Sequence, residues 1–374
     1  MLFADLPADA HRAILERVTP ARALFTAAAV SRYCRARCKE IGEARTVHVP
    51  ATPGALETCV EAAYEGSTVV LEDGVHVCGL LRLNKPVRIM GKGGAVLTSS
   101  AQQICHAVAP AVLENFTLLR GHQDTVAPQQ AMFLAAVYAE ECRLTIRDCR
   151  IAYGNDHGTF SVGSTPPAGG AWPPDHEGPT QPIGSHERTF NVVGVRARCA
   201  TLSLDGTHVY GFPGPSCSST RSKVDVHRCT FAFSSIGACV VLNGGTTRLR
   251  SSTIQNTESA PGVSSHGSAD LSVANCSIQH NRHGGMMINS NGALTIVDNA
   301  FESNGSAAFV WNVAHPGLRD VHKSNVFQNN GIWEISSNRT AATARFDPDD
   351  SSDSESDFPQ LAPVIGRQRA TNTP

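Results

Sequence analysis

No stretch of this chain is apolar for long enough to span a membrane, which takes about 20 consecutive residues. Nor is there a basic-then-apolar leader. Asp5 and Asp9 fall early, which predicts an unsecreted protein of the cytoplasm or nucleus. Charge of neither sign dominates: 31 Lys and Arg stand against 33 Asp and Glu. That balance excludes a global nucleic-acid-binding surface. A P-loop, a nucleophile motif and a cysteine-pair metal motif are all missing, so neither cofactor nor metal is expected. The dense leucine framework of a leucine-rich repeat is missing too.

What is present is a short phrase, repeated. It reads Leu204-Asp-Gly-Thr-His-Val209, Val226-His-Arg-Cys-Thr-Phe231, Leu249-Arg-Ser-Ser-Thr-Ile254, Val273-Ala-Asn-Cys-Ser-Ile278 and Ile296-Val-Asp-Asn-Ala-Phe301, and more loosely Val321 to Phe327. From Val209 through Phe231, Ile254, Ile278 and Phe301 to Phe327 the steps are 22, 23, 24, 23 and 26 residues. Such a period marks a solenoid, in which each repeat buries its apolar face against its neighbours. Each repeat holds two short β-type runs, such as Leu271-Ser-Val-Ala and Gly285-Met-Met-Ile288, separated by Gly, Asn or Ser. Asn281, Asn304 and Asn330 each follow the recurring apolar residue by three positions. They read either as ordinary turn residues or as a ladder of side chains stacked from coil to coil.

These repeats resemble the right-handed parallel β-helix family of pectin-lyase-like proteins. The run from the short helix at Ala55–Tyr64 through Thr68-Val-Val-Leu71 and Asp73-Gly74 to Lys85-Pro-Val-Arg-Ile-Met-Gly91 resembles that family's first coils. The expected fold is mainly β: a right-handed single-stranded parallel β-helix over residues 42–340, preceded by a small helical segment. Ala131–Tyr138 reads equally as strand or helix. Residues 154–190, rich in Gly, Pro and His, read as a long projecting loop, and residues 341–374 as a disordered acidic tail. The loop's His157, Asp175, His176, Glu177 and His186 lack metal-ligand spacing and read as a solvated segment. Cys149, Cys229 and Cys276 fall at equivalent repeat positions and read as small buried thiols, reduced in an intracellular protein.

Residues 1–41 carry almost no β signal. Leu6-Pro7 is followed by Ile14, Leu15 and Val18 at helical spacing, then Pro20, then Leu24, Val30 and Tyr33-Cys34-Arg35. This order resembles an F-box, with Tyr33 near the usual Trp. The other reading is an amphipathic cap that shields the end coil of the solenoid.

An F-box joined to a β-helix resembles the F-box proteins with carbohydrate-binding-and-sugar-hydrolase-type repeats. That resemblance implies an adaptor of a Skp1–cullin–F-box ubiquitin ligase. Skp1 would dock on Leu6, Pro7, Ile14, Leu15, Val18, Leu24, Val30 and Tyr33, and the β-helix would hold a protein substrate. Trp172, His176, Trp311 and Trp333 are the candidate substrate contacts. No nucleic acid or membrane partner is expected, and intrinsic catalysis is not expected.

A polysaccharide-active lyase, hydrolase or epimerase is the alternative, and a scaffold that binds no Skp1 is another. Asn256-Thr-Glu258 and Ser265-His-Gly267 are only fragments of polygalacturonase-like motifs, and the one Asp-Asp pair, Asp349-Asp350, is in the tail. Glycoside hydrolysis needs carboxylates paired across the scissile bond. A lyase needs a base, and a cation to hold the substrate carboxylate. Asp205, Asp225, Asp270, Asp298 and Asp320 come one to a coil and read as surface charges.

Overall fold

A computed structural model describes residues 46–99, 103–120, 135–153, 192–305, 307–311, 321, 323–330 and 336–337. Outside these lie the N-terminal residues expected to be helical, with Leu6, Pro7, Ile14, Leu15, Val18, Leu24, Val30 and Tyr33, the stretch with Trp172 and His176, Trp333, and the acidic tail.

The described residues form a parallel β-solenoid. One sheet has seventeen strands and the other ten. The ten-stranded sheet runs from Val75–Cys78 to Val326–Gln328, one short strand per coil. The larger sheet bends into two limbs. Leu81–Leu83, Cys105–Ala107, Ala135–Glu140, Val193–Arg198, Met286–Ser290 and Phe309–Trp311 belong to the first limb, and Thr46–Val49 through Thr201–Asp205 and Leu294–Val297 to the second. Cys217–His227, Val240–Arg250 and Val263–Ala274 continue through the bend and serve both. The two β runs visible per repeat are therefore three pairing segments, two of them fused in the longest strands. The run left open between strand and helix is a strand over Ala135–Glu140. Among the described residues Ala55–Ala62 is the only α-helix, with Leu56 and Val60 buried.

Alternation explains the core. In a strand, neighbouring side chains point to opposite faces. Leu97, Leu118, Ile151, Val209, Phe231, Ile254, Ile278 and Phe301 pair in register, and each is fully buried. Phe327 stacks on Phe301 with ring centroids 5.0 Å apart. The repeat phrase thus names one inward column.

The turns explain the polar part of the phrase. Between the second limb and the ten-stranded sheet, one residue per coil is left-handed: Asn115, Asp148, Gly206, Arg228, Ser251, Asn275 and Asp298, with φ between 48° and 58°. Asn, Asp and Gly tolerate that conformation, and they fill most of these positions. Each of these residues donates its backbone N–H to the coil after it, as Asp148 does to Asp205 O at 2.9 Å. Gly245 (φ 83°) makes the corner inside the strand Val240–Arg250. A Cβ there would lie 2.2 Å from the carbonyl oxygen of Ser222.

The buried asparagines at the corners are paired, as the interior requires. The Asn281, Asn304 and Asn330 side chains form the ladder. Asn281 Nδ2 donates to Asn304 Oδ1 at 3.0 Å and Asn304 Nδ2 to Asn330 Oδ1 at 2.9 Å. A second ladder, not marked in the sequence, joins Asn299 to Asn325 at 2.8 Å.

Ten cysteines are described, and all are free thiols. Cys149, Cys229 and Cys276 are buried. Burial pushes the Cys149 and Cys229 thiols up to about 12 and the Cys276 thiol up to about 11. Only the thiolate attacks an alkylating reagent. In the native protein iodoacetamide should therefore modify exposed Cys199 and leave Cys149, Cys229 and Cys276 unmodified. Peptide mass mapping before and after denaturation checks this. Native labelling of the buried three would contradict the packing.

Candidate active site

The outward face of the first limb gathers the chemistry. Two outward columns cross it. The first runs Arg82, His106, Tyr138, Arg196, Ser218, Val241, Ser264, Met287 and Val310 from coil to coil. The second, two residues further along each strand, runs Glu140, Arg198, Thr220, Asn243, His266 and Asn289. Neighbouring coils in such a ladder are about 4.8 Å apart. The inward residues between them, such as Val137, Ala139, Val195 and Ala197, are fully buried and fix the strands to the core.

Glu140 is the centre of one cluster. The Tyr138 hydroxyl donates to Glu140 Oε1 at 3.2 Å. Arg198 Nη1 lies 3.5 Å from the same oxygen. His106 Nε2 lies 3.3 Å from Glu140 Oε2, close enough for charge attraction but not aligned as a hydrogen bond. The rings of His106 and Tyr138 stack with centroids 4.9 Å apart. These groups are partly exposed, and such ion pairs contribute about 0–1 kcal/mol each. Glu140 therefore does more to orient its neighbours than to stabilise the fold.

Burial pushes the Tyr138 phenol above its ordinary range, and the hydrogen bond from Arg198 only partly offsets this. At neutral pH Tyr138 is a proton donor. Burial lowers the Arg196 guanidinium from its usual value, with Tyr138 beside it acting in the opposite sense. Arg82 and Arg196 stand in the first column and Arg198 in the second, where Arg198 pairs with Glu140, so this face carries three guanidinium groups and one carboxylate on a chain of net charge −2. Guanidinium groups hold carboxylates in a two-pronged geometry.

Three coils on from Arg196, Ser264 Oγ lies 2.7 Å from His266 Nε2, and Asn289 Nδ2 lies 3.4 Å from His266 Nδ1. Ser265-His-Gly267 thus contributes its His to the outward face, while Ser265 points inward and bonds Ser290 Oγ at 3.0 Å. The other fragment is structural. Asn256 is a left-handed turn residue, and the Thr257 hydroxyl pairs with Ala260 O and Asn281 Oδ1.

The one-per-coil carboxylates lie elsewhere. Asp225 Oδ1 accepts from Arg250 at 2.8 Å, and Asp270 Oδ1 accepts the Ala293 N–H at 2.8 Å. Asp205 accepts from Arg228 and His227. Burial would raise its carboxyl, but these partners outweigh burial and hold it below the usual range. Trp311 packs against Phe309 and the core, ring centroids 6.0 Å apart. Among the described residues no three His, Cys, Asp or Glu side chains are placed to hold a metal ion. No helix among them is long and apolar enough to cross a membrane.

A family model described as "Right handed beta helix region" matches residues 191–340. No curated protein matches the chain. Solved structures do. One is a periplasmic alginate epimerase, AlgG, at 12% identity and a TM-score of 0.35, covering 79% of this chain and 82% of that one. The alginate lyase AlyGC matches at 12% identity and a TM-score of 0.37; the match covers 78% of this chain but only 39% of the lyase. A family 28 exopolygalacturonase of Yersinia enterocolitica matches at 8% identity and a TM-score of 0.33, over 78% of this chain and 77% of that one. At these identities the likeness is one of fold.

The comparisons correct two expectations. The family model is a right-handed β-helix and the three structures named are carbohydrate-processing β-helix enzymes; none of these is an F-box or Skp1-binding protein. The ligase-adaptor reading built on Leu6-Pro7 and the residues after it is set aside. The reading of the β-helix as catalytically silent goes with it. That reading rested on a missing carboxylate pair and on the fragmentary Asn256-Thr-Glu258 motif, whereas the outward face carries Tyr, His and Arg instead.

Proposed function

We propose that the chain is an enzyme of acidic polysaccharides, acting at the His106–Tyr138–Glu140–Arg196–Arg198 cluster. The observation that carries this is an acid–base pair, Tyr138 and His106, set beside two guanidinium groups on adjacent coils. A uronate sugar has a weakly acidic C–H next to its carboxylate. An arginine bound to that carboxylate stabilises the negative charge that develops when the proton leaves. One member of the pair then removes the proton and the other supplies one. Elimination gives an unsaturated product, and reprotonation from the opposite side gives an epimer. Glu140 holds both members and Arg198 in place.

Alginate and polygalacturonate are the polymers to test. The wild-type chain should produce unsaturated ends, seen by ultraviolet absorbance, or an altered epimer content, seen by NMR. Arg196→Ala and Tyr138→Phe should each lower that activity by at least ~100-fold. Binding should weaken as salt is raised, because the contacts are between partly exposed charges. A wild-type chain that neither binds nor alters any uronate polymer at low salt would overturn the reading.

A further inference from the structure

We propose that Ser264, His266 and Asn289 form a second catalytic centre, a serine acyl hydrolase for short acyl esters. An activated serine needs a base within hydrogen-bond reach and a third group that orients the base. Ser264 Oγ and His266 Nε2 are 2.7 Å apart, and the Asn289 amide faces His266 Nδ1 at 3.4 Å. The backbone makes this arrangement from its two periodicities. Ser264 and His266 are two residues apart on one strand, so both point outward. Asn289 lies opposite His266 on the next coil. The two ends of an Asn amide are told apart only by their hydrogen bonds. With Oδ1 turned to Nδ1–H, the Nε2 lone pair faces the serine. Burial lowers the His266 imidazole below its ordinary value, which keeps it neutral at pH 7.

The chemistry balances without any co-reactant but water. Ser264 Oγ adds to the ester carbonyl as its proton passes to His266 Nε2. The ester C–O bond breaks, and the alcohol leaves with that proton. Water then gives a proton to Nε2 and adds to the acyl-serine. The Oγ–C bond breaks, the proton returns to Oγ, and the carboxylic acid departs. Asn243 lies opposite His266 on the preceding coil and is exposed, so its amide is placed to donate to the carbonyl oxygen as charge builds there.

The surroundings limit the acyl group. Ser264 is only 3% exposed. Its neighbours in the outward column are Val241 and Met287, both half-buried. A methionine side chain yields to a small group more readily than a branched one does. An acetyl group suits that space better than a long acyl chain. This centre lies three coils, about 14 Å, from Arg196 along the same face. O-acetyl esters on a polymer lying along the ladder are the substrate class this placement favours.

The test uses the full chain with 4-nitrophenyl acetate and, separately, phenylmethanesulfonyl fluoride. Sulfonylation located by peptide mass mapping should fall on Ser264. Acetate release should drop by at least ~100-fold in both Ser264→Ala and His266→Ala, and the butyrate ester should be the slower substrate. Melting curves establish that each variant is folded. If a variant does not fold, the position of the label on the wild-type chain decides the matter by itself. Hydrolysis unchanged in folded Ser264→Ala, or no label on Ser264, overturns the proposal. Arg196→Ala separates the two centres: it should abolish polysaccharide chemistry and leave acetate release intact. The acyl-hydrolase inference therefore stands or falls apart from the polysaccharide reading.

Discussion

Ile278→Asp should unfold several coils at a temperature well below the wild-type transition. Ile278 is fully buried and sits in register between Ile254 and Phe301. The change removes a packed aliphatic side chain, at a cost of about 2–5 kcal/mol. It also places a carboxylate where no partner is available, which adds several kcal/mol or forces the group to take up a proton. A loss of at least ~4 kcal/mol corresponds to about 6 °C or more in a solenoid of about 300 residues. Each repeat is stabilised mainly by its neighbours, so the damage should spread to the coils on both sides. Val326→Asp is the control: it belongs to the same sheet, but Val326 is 63% exposed, and a substitution there should stay within about 0.5 kcal/mol. Thermal melts followed by circular dichroism read both variants. Equal melting temperatures for Ile278→Asp and the wild type would show that the column does not point inward.

That column was legible in the sequence because the turns do not vary. From Val209 to Phe301 each coil spends one left-handed residue and one small polar residue before its apolar residue, so the period survives in the letters. The same regularity disclosed the Asn281–Asn304–Asn330 ladder. The second ladder stayed hidden because its column is filled with different residues. Cys229 donates its backbone N–H to Ser252 Oγ, and Cys276 donates to Asn299 Oδ1. Cysteine, serine and asparagine all fit one small polar corner, so no single residue type marks it.

The candidate site was not legible, for a different reason. His106 and Tyr138 are 32 residues apart, and Tyr138 and Arg196 are 58. Chain inserted between coils destroys the period in this half of the solenoid. Only the register of the strands brings the three residues into one column. The carboxylates that recur along the repeats also sit on the other limb. Asp205 and Asp225 belong to the second limb, where Arg228, His227 and Arg250 neutralise them. A better signal lay in single residues within apolar runs: Tyr138 in Ala135–Glu140, Arg196 in Val193–Arg198 and His106 in Cys105–Ala107. Each is a polar or aromatic residue on the outward side of a strand whose other face is buried, and such residues are where an all-parallel sheet can place chemistry.

Two substitutions of Asn304 should show how the asparagine ladder is held together. Asn304 Oδ1 accepts the Asn281 N–H at 3.1 Å and Asn281 Nδ2 at 3.0 Å. Its Nδ2 donates to Ile278 O and to Asn330 Oδ1, each at 2.9 Å. Asn304→Ala removes all four bonds and strands their partners in a dry corner, at about 1–3 kcal/mol for each group left unsatisfied. Its melting temperature should fall steeply and by the same amount at every pH. Asn304→Asp keeps the two accepted bonds but turns the donor end into an oxygen facing two others, Ile278 O and Asn330 Oδ1. Burial and those oxygens both disfavour the charged form, so the new carboxyl is raised in the folded protein and ordinary in the unfolded one. The folded state then binds the extra proton, and stability relative to wild type falls as pH rises through the window between the two values. At low pH the protonated acid donates one of the lost bonds, and the variant should approach the wild type. At neutral pH it should melt at least as low as Asn304→Ala. Differences between variant and wild type taken across a pH series isolate this one group from the rest of the titration. A flat difference for Asn304→Asp, or an Asn304→Ala variant that melts with the wild type, would mean that the ladder does not hold the coils together.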